Sequence, residues 1–181
     1  MDNVFIIEAT ETAIGKPGIS RDAVFDLESL LPLMHQGPLK EDLKRIYPYG
    51  TCHVLGFQEC NGDNLAAWDM MAAGDLILGY RNHSIVSATF LLAKTNDPAM
   101  AVNLWGDDSA EPFGLICFTD RPYLGEVPIL PQMERYLDRE YGAFSKLNAG
   151  KAGNILTDYG SLETFVHLCL RYDFPFSFRH S

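Results

Sequence analysis

Long apolar runs are missing from this chain, and none approaches the roughly 20 residues that a membrane-spanning helix needs. The opening Met1-Asp2-Asn3-Val4-Phe5 lacks the basic region that begins a signal peptide, so a cytoplasmic chain with no membrane partner is expected. Cysteine is scarce: Cys52, Cys60, Cys117 and Cys169 stand apart, and no Cys-x-x-Cys pair occurs. That pattern speaks against a zinc ribbon and a thioredoxin-like redox centre. Cys117 and Cys169 fall in apolar stretches and read as small buried hydrophobes. His35, His53, His83, His167 and His180 are scattered without metal-ligand spacing, so neither a metal nor a cofactor is expected.

Catalytic motifs are missing too. There is no Gly-x-Ser-x-Gly elbow, no His-Glu-x-x-His and no complete phosphate-binding loop. Gly150-Lys151 lacks both the upstream glycine and the following hydroxyl. Cys52 and His53 are neighbours on an expected strand, so their side chains point to opposite faces and cannot act on each other. A catalytic reading would need an unrecognised site around His53, His83 and Asp75. A non-catalytic binding domain is the expectation.

Positive charge is also in short supply. With 14 Lys and Arg against 24 Asp and Glu, the net charge is −10, which repels phosphate at long range. Between Glu59 and Asp120 only Arg81 and Lys94 are basic. The densest basic cluster is Lys40, Lys44 and Arg45, on one face of an expected helix whose other face carries Leu39, Leu43 and Ile46. Any contact with nucleic acid must therefore use a local patch and a specific pocket.

What is present is an ordinary globular balance, 47 % hydrophobic and 21 % charged over 181 residues, enough for one domain with a proper core. Val4-Phe5-Ile6-Ile7 reads as a buried strand, followed by polar residues to Thr12 and a loop at Gly15-Lys16-Pro17-Gly18. Asp22 is the expected N-cap of a helix bearing Leu27, Leu30 and Leu31. Cys52 to Phe57 is a short strand, and Asp63 starts a helix carrying Leu65 and Trp68. Leu76 to Tyr80 and Ile85 to Leu92 flank Arg81-Asn82-His83-Ser84 as a hairpin. Asp97-Pro98 pairs an N-cap with a proline at the first helical position, opening a helix that ends near Trp105. A loop with Asp107, Asp108 and Glu111 leads to the strand Gly114 to Phe118. Beyond it come a short helix around Gln132 to Asp138, a Gly/Asn-rich loop to Gly160, and a last helix capped by Ser161. The end, Phe174 to Ser181, is too aromatic for a free tail.

Trp68 reads as core. Trp105, beside Gly106 and an acidic loop, reads as an aromatic near the surface, where a ring can stack on a base. In order and spacing, several short motifs resemble the PUA-like family that includes the EVE and YTH domains. More closely, they resemble the N-terminal DNA-recognition domains of McrB-type modification-dependent restriction GTPases. The matching stretches are Leu55-Gly56-Phe57, Trp68 before Gly74-Asp75, Leu76 to Tyr80 and Ser84 to Leu92. Asn96-Asp97-Pro98 through Leu104-Trp105-Gly106 and Leu115 to Phe118 follow, then Tyr141 to Ser145 and Tyr159 to Leu162.

The resemblance implies an α+β fold, a PUA-like twisted β-barrel or sheet flanked by helices. It implies a recognition domain over 1–160, with a C-terminal helix and tail over 161–181 packing on it or leading onward. It implies a reader of modified double-stranded DNA that accepts a flipped methylated base in an aromatic-lined pocket. A McrB-like motor and a McrC-like nuclease would be its partners. Carried over residue by residue, Trp105 matches a cage position, Phe113 a second aromatic position, and Leu55 a position the family usually fills with tryptophan. Phe57 and Ser84 complete the expected pocket, and Lys40, Lys44, Arg45 and Arg81 are the expected phosphate contacts. A protein-interaction or small-ligand-sensing module on the same fold is the competing expectation.

Overall fold

A computed structural model describes residues 3–9, 20–35, 37–59, 63–106 and 112–172. Among them, eight strands and six α-helices form a mixed α and β architecture. The strands are β1 (Val4–Glu8), β2 (Ser20–Asp26), β3 (Thr51–Phe57), β4 (Leu76–Arg81), β5 (Ser84–Asn96), β6 (Leu115–Thr119), β7 (Tyr123–Pro128) and β8 (Phe144–Lys146). The helices are α1 (Leu27–Leu30), α2 (Gly37–Ile46), α3 (Asp63–Asp69), α4 (Pro98–Trp105), α5 (Ala149–Tyr159) and α6 (Leu162–Leu168). The sheet runs β2-β3-β6-β5-β4-β1-β8, with β7 on β5 off that path. β1 and β4 are parallel, which the long connection between them permits, and the other pairs are antiparallel.

β5 shapes the sheet. Its first half pairs β4 and β7, its second half pairs β6, and its register slips near Ile85–Ser87 and again near Leu91–Ala93. Each irregularity adds bend and twist, so the sheet curls. Among the described residues the hydrogen-bonded ladder stays open, but side chains cross from β3 to the edge strand β8: Phe57 stacks on Phe144 at 4.9 Å between ring centres.

Curling separates the core into three parts. On the inner face lie Phe5, Ile7, Phe57, Ile77, Leu91, Leu115 and Cys117, closed by Trp68 and Met71 from α3 and its exit. One outer face, of β3 and β6, is covered by α1, α2 and α4 through Leu30, Leu43 and Met100. The other outer face, of β1, β4 and the start of β5, is covered by α5 and α6 through Ile155, Leu162 and Phe165.

Several sequence expectations hold. The Asp97 carboxylate accepts the Met100 N–H at 2.9 Å, with Pro98 in the first turn. Ser161 accepts the Thr164 N–H at 3.1 Å and starts α6. The β4–β5 hairpin turns through Asn82 and His83 at φ 47° and 61°, the left-handed pair that a tight two-residue turn demands. Others need correction. Asp22 lies within strand β2, and the cap of α1 is Asp26, whose carboxylate accepts the Ser29 N–H at 3.1 Å. Only a single 3₁₀ turn, Pro131–Met133, forms where a helix from Gln132 to Asp138 was expected. The expected loop before Gly160 is the helix α5, capped by the Asn148 side chain on Gly150 N–H at 2.7 Å. Cys60, the loop from Gly15 to Gly18, the acidic residues Asp107, Asp108 and Glu111, and the tail from Phe174 lie outside the described residues.

Candidate nucleic-acid interface

Register places one row of residues across the inner face. Phe144 pairs with Ile7, Ile7 with Gly79, Gly79 with Ser87, and Ser87 with Leu124. Directly opposed residues share a face, so these five stand side by side. The row is uneven in height. Phe144 is half-buried, Ile7 is buried, Gly79 has no side chain, Ser87 is half-buried, and Leu124 is 75 % exposed. A Cβ at Gly79 would lie 2.2 Å from Ser87 Oγ, so the serine leans into the space that a larger residue 79 would fill. Gly79 is itself buried, and Ser87 and Ala9 fill the space beside it.

On the same face the buried Phe57 stacks on Phe144, with Phe5 edge-on to Phe144 at 6.1 Å. Leu55 and Leu65, both half-buried, pack beside it. Along the strand from Gly79 the same face carries Arg81, opposite Ser84. Ser84 is buried, and its hydroxyl donates to Glu126 at 3.3 Å. Four of the expected site residues, Leu55, Phe57, Ser84 and Arg81, therefore belong to one face. Phe144, Gly79, Ser87 and Leu124 were not expected there. Only the register of five strands brings them together, though the Tyr141 to Ser145 stretch was already a point of resemblance.

The two remaining pocket residues lie on the opposite side. Strand alternation turns Gly56 away from Leu55 and Phe57, toward α4. There the Trp105 ring rests on bare β3 backbone: a Cβ at Gly56 would lie 2.3 Å from Trp105 Cη2. Phe113, fully buried, meets the indole edge-on at 6.1 Å. The expected five-residue pocket is thus divided by the sheet, and Trp105 with Phe113 packs α4 onto β3 rather than joining Phe57.

The basic residues divide the same way. Lys40, Lys44 and Arg45 belong to α2, which covers the outer face of β3 and β6. Lys44 pairs with Glu41 at 2.7 Å, and Arg45 pairs with Asp42, so each cation already faces an anion one turn away. Lys94 donates to Trp68 O at 2.6 Å and Asp69 O at 3.0 Å, closing the C-terminus of α3, and sits 4.2 Å above the Trp68 ring. Arg81 lies on the same strand face as Gly79 and is itself engaged.

Burial holds the buried thiols protonated. Burial pushes the Cys117 thiol up to about 12, against a smaller opposing effect from the Trp68 indole N–H. Burial likewise raises Cys52 to about 11, with Asp26 adding to the shift. Burial lowers His53, with Arg121 acting in the same direction. Asp75 is buried and accepts hydrogen bonds from Asn3 N–H and Ala72 N–H, both at 2.8 Å. His83 Nδ1 bonds Arg139 O at 3.0 Å on the hairpin tip. Among the described residues no group of His, Cys, Asp and Glu forms a metal-binding set. No helix among them is long and apolar enough to cross a membrane.

Comparison with family models, with curated proteins and with solved structures finds no match.

Proposed function

We propose that this chain is a non-catalytic reader of modified DNA that takes a flipped, methylated base on the inner face of the curled sheet. The observation that carries the reading is the Phe57–Phe144 stack, in which Phe57 is fully buried and the Phe144 ring is half-buried. A base extruded from a duplex needs a flat apolar wall and a floor close enough for contact, and each base–aromatic stack contributes about 1–3 kcal/mol. A methyl group on the base adds apolar area to that contact, which favours the modified form by roughly 1 kcal/mol. In this reading Trp105 and Phe113 are packing residues, and Arg81 is the phosphate contact nearest the base. The resemblance to McrB-type recognition domains adds a restriction machine as the destination, its motor and nuclease supplied by other sequence.

The test is fluorescence anisotropy with matched duplexes, unmodified or carrying 6-methyladenine, 5-methylcytosine or 5-hydroxymethylcytosine. Selective binding that disappears in Phe144→Ala supports the reading. Equal, weak binding to every duplex overturns the preference for modified bases.

One observation favours a protein-interaction module instead. The net charge is −10, and the two most prominent cations of α2 are already paired. A protein partner recovered in place of any duplex binding would favour that second reading.

A further inference from the structure

We propose that helix α3 is a lid over the inner face of the sheet, latched shut by Lys94 and hinged at its exit, where the chain is pinned to the sheet. The device stands beside the Phe57–Phe144 pair but does not depend on the nucleic-acid reading. Lifting α3 withdraws Trp68 and Met71 from the inner core and bares an apolar floor of Phe57, Leu115 and Cys117.

Three observations carry it. First, α3 has only seven residues, and a helix of that length has little stability apart from its packing. That packing is two buried side chains, Trp68 and Met71, with Leu65 half-buried beside them. Second, the exit of the helix is anchored. The buried Asp75 carboxylate accepts the Ala72 and Asn3 N–H groups, each at 2.8 Å, and the Gly74 N–H donates to Leu91 O at 2.8 Å. Gly74 turns there at φ 97°, and Ala72, Ala73 and Gly74 are exposed, so a hinge at this point bends without repacking side chains. Third, Lys94 clasps the helix from strand β5. Its ammonium donates to Trp68 O at 2.6 Å and Asp69 O at 3.0 Å and lies 4.2 Å above the Trp68 ring. One side chain thus satisfies carbonyls at the C-terminus of α3 and holds the indole by its π face. The indole shares the inner core with Cys117, whereas Cys52 lies on the outer face with α1, α2 and α4. Two buried thiols therefore report separately on the two sides of the sheet.

The test labels wild type and Lys94→Met with a thiol reagent at pH 8, follows each cysteine by peptide mass, and checks folding by circular dichroism. Lys94→Met keeps an unbranched apolar stem and removes the charge, so the latch is lost. Cys117 labelling is expected to accelerate at least tenfold, while Cys52 labelling changes less than twofold. Wild type in rising urea, below its unfolding transition, gives a second reading that needs no variant. Local opening exposes less surface than unfolding, so the Cys117 rate is expected to rise with urea less steeply than the Cys52 rate. If folded Lys94→Met labels Cys117 no faster relative to Cys52 than wild type does, the lid is wrong. If both thiols of wild type follow one urea slope, α3 opens only with the whole domain, and the lid is wrong again; this reading decides if Lys94→Met does not fold. No duplex enters either experiment, so failure of the nucleic-acid reading leaves the outcome untouched.

Discussion

Gly56 and Gly79 are both glycines on strands, but different neighbours require them. At Gly56 the neighbour is the Trp105 ring, 2.3 Å from where a Cβ would sit. Gly56→Ala is expected to cost about 1–3 kcal/mol in urea unfolding, since α4 must lift from β3. Trp105→Ala leaves a cavity under the same helix and is expected to cost about 2–4 kcal/mol with little effect on base preference. Phe144→Ala should behave in the opposite way. The ring is only half-buried, so stability falls by about 1–2 kcal/mol, while loss of one stacking wall weakens binding by about 5- to 150-fold. The thiols give a check that is independent of any ligand. Cys52 and Cys117 are fully buried and their thiols are raised to about 11 and about 12, so the folded state holds its protons longer than the unfolded chain. Stability from this source is present below about pH 9 and declines as pH rises from there toward 11. A thiol-reactive chromophore at pH 8 should modify these two residues only after denaturant is added.

At the scale of elements, local chemistry was legible wherever a cap or a turn announces itself. Asp97-Pro98, Ser161 and Asn82-His83 formed what their side chains promised, because each satisfies its own backbone within a few residues. Asp97→Ala is expected to cost about 1 kcal/mol, seen as a lower urea midpoint with an unchanged slope. Helix α5 was hidden by Gly150 and Gly153, residues of poor helix propensity, and is held by packing of Ile155 on the sheet. Asp22 misled because a capping side chain looks the same inside a strand; Asp26, four residues on, holds the cap. The site was the least legible feature. Leu55 and Phe57 were named because they adjoin Gly56, but the period-two alternation that separates them from Trp105 matters only once β3 has a helix on one side and a core on the other. Gly79, Ser87 and Leu124 meet through pairings of β4, β5 and β7 that no single segment encodes.

For the whole molecule, charge and curvature set the limits on recognition. A chain at −10 gains little from long-range attraction to a duplex, and among the expected phosphate contacts Arg81 is the one on the inner face of the sheet. Neutralising one or two phosphates gives a slope of log K against log salt of about −1 to −2, far shallower than that of a protein with a broad basic face. Replacing Lys44 and Arg45 together by Ala is expected to change affinity less than twofold, since both cations face partners on α2 and lie on the far side of the sheet. In the proposed reading the base is held where β3 and β8 meet through two phenylalanine rings. The most direct measurement is anisotropy of modified and unmodified duplexes with wild type, Phe144→Ala and Trp105→Ala side by side. The account predicts selective binding in the wild type, at least a fivefold loss in Phe144→Ala, and near-wild-type selectivity in folded Trp105→Ala. Loss of selectivity in Trp105→Ala with Phe144→Ala unaffected would place the base on the other face of the sheet and contradict it.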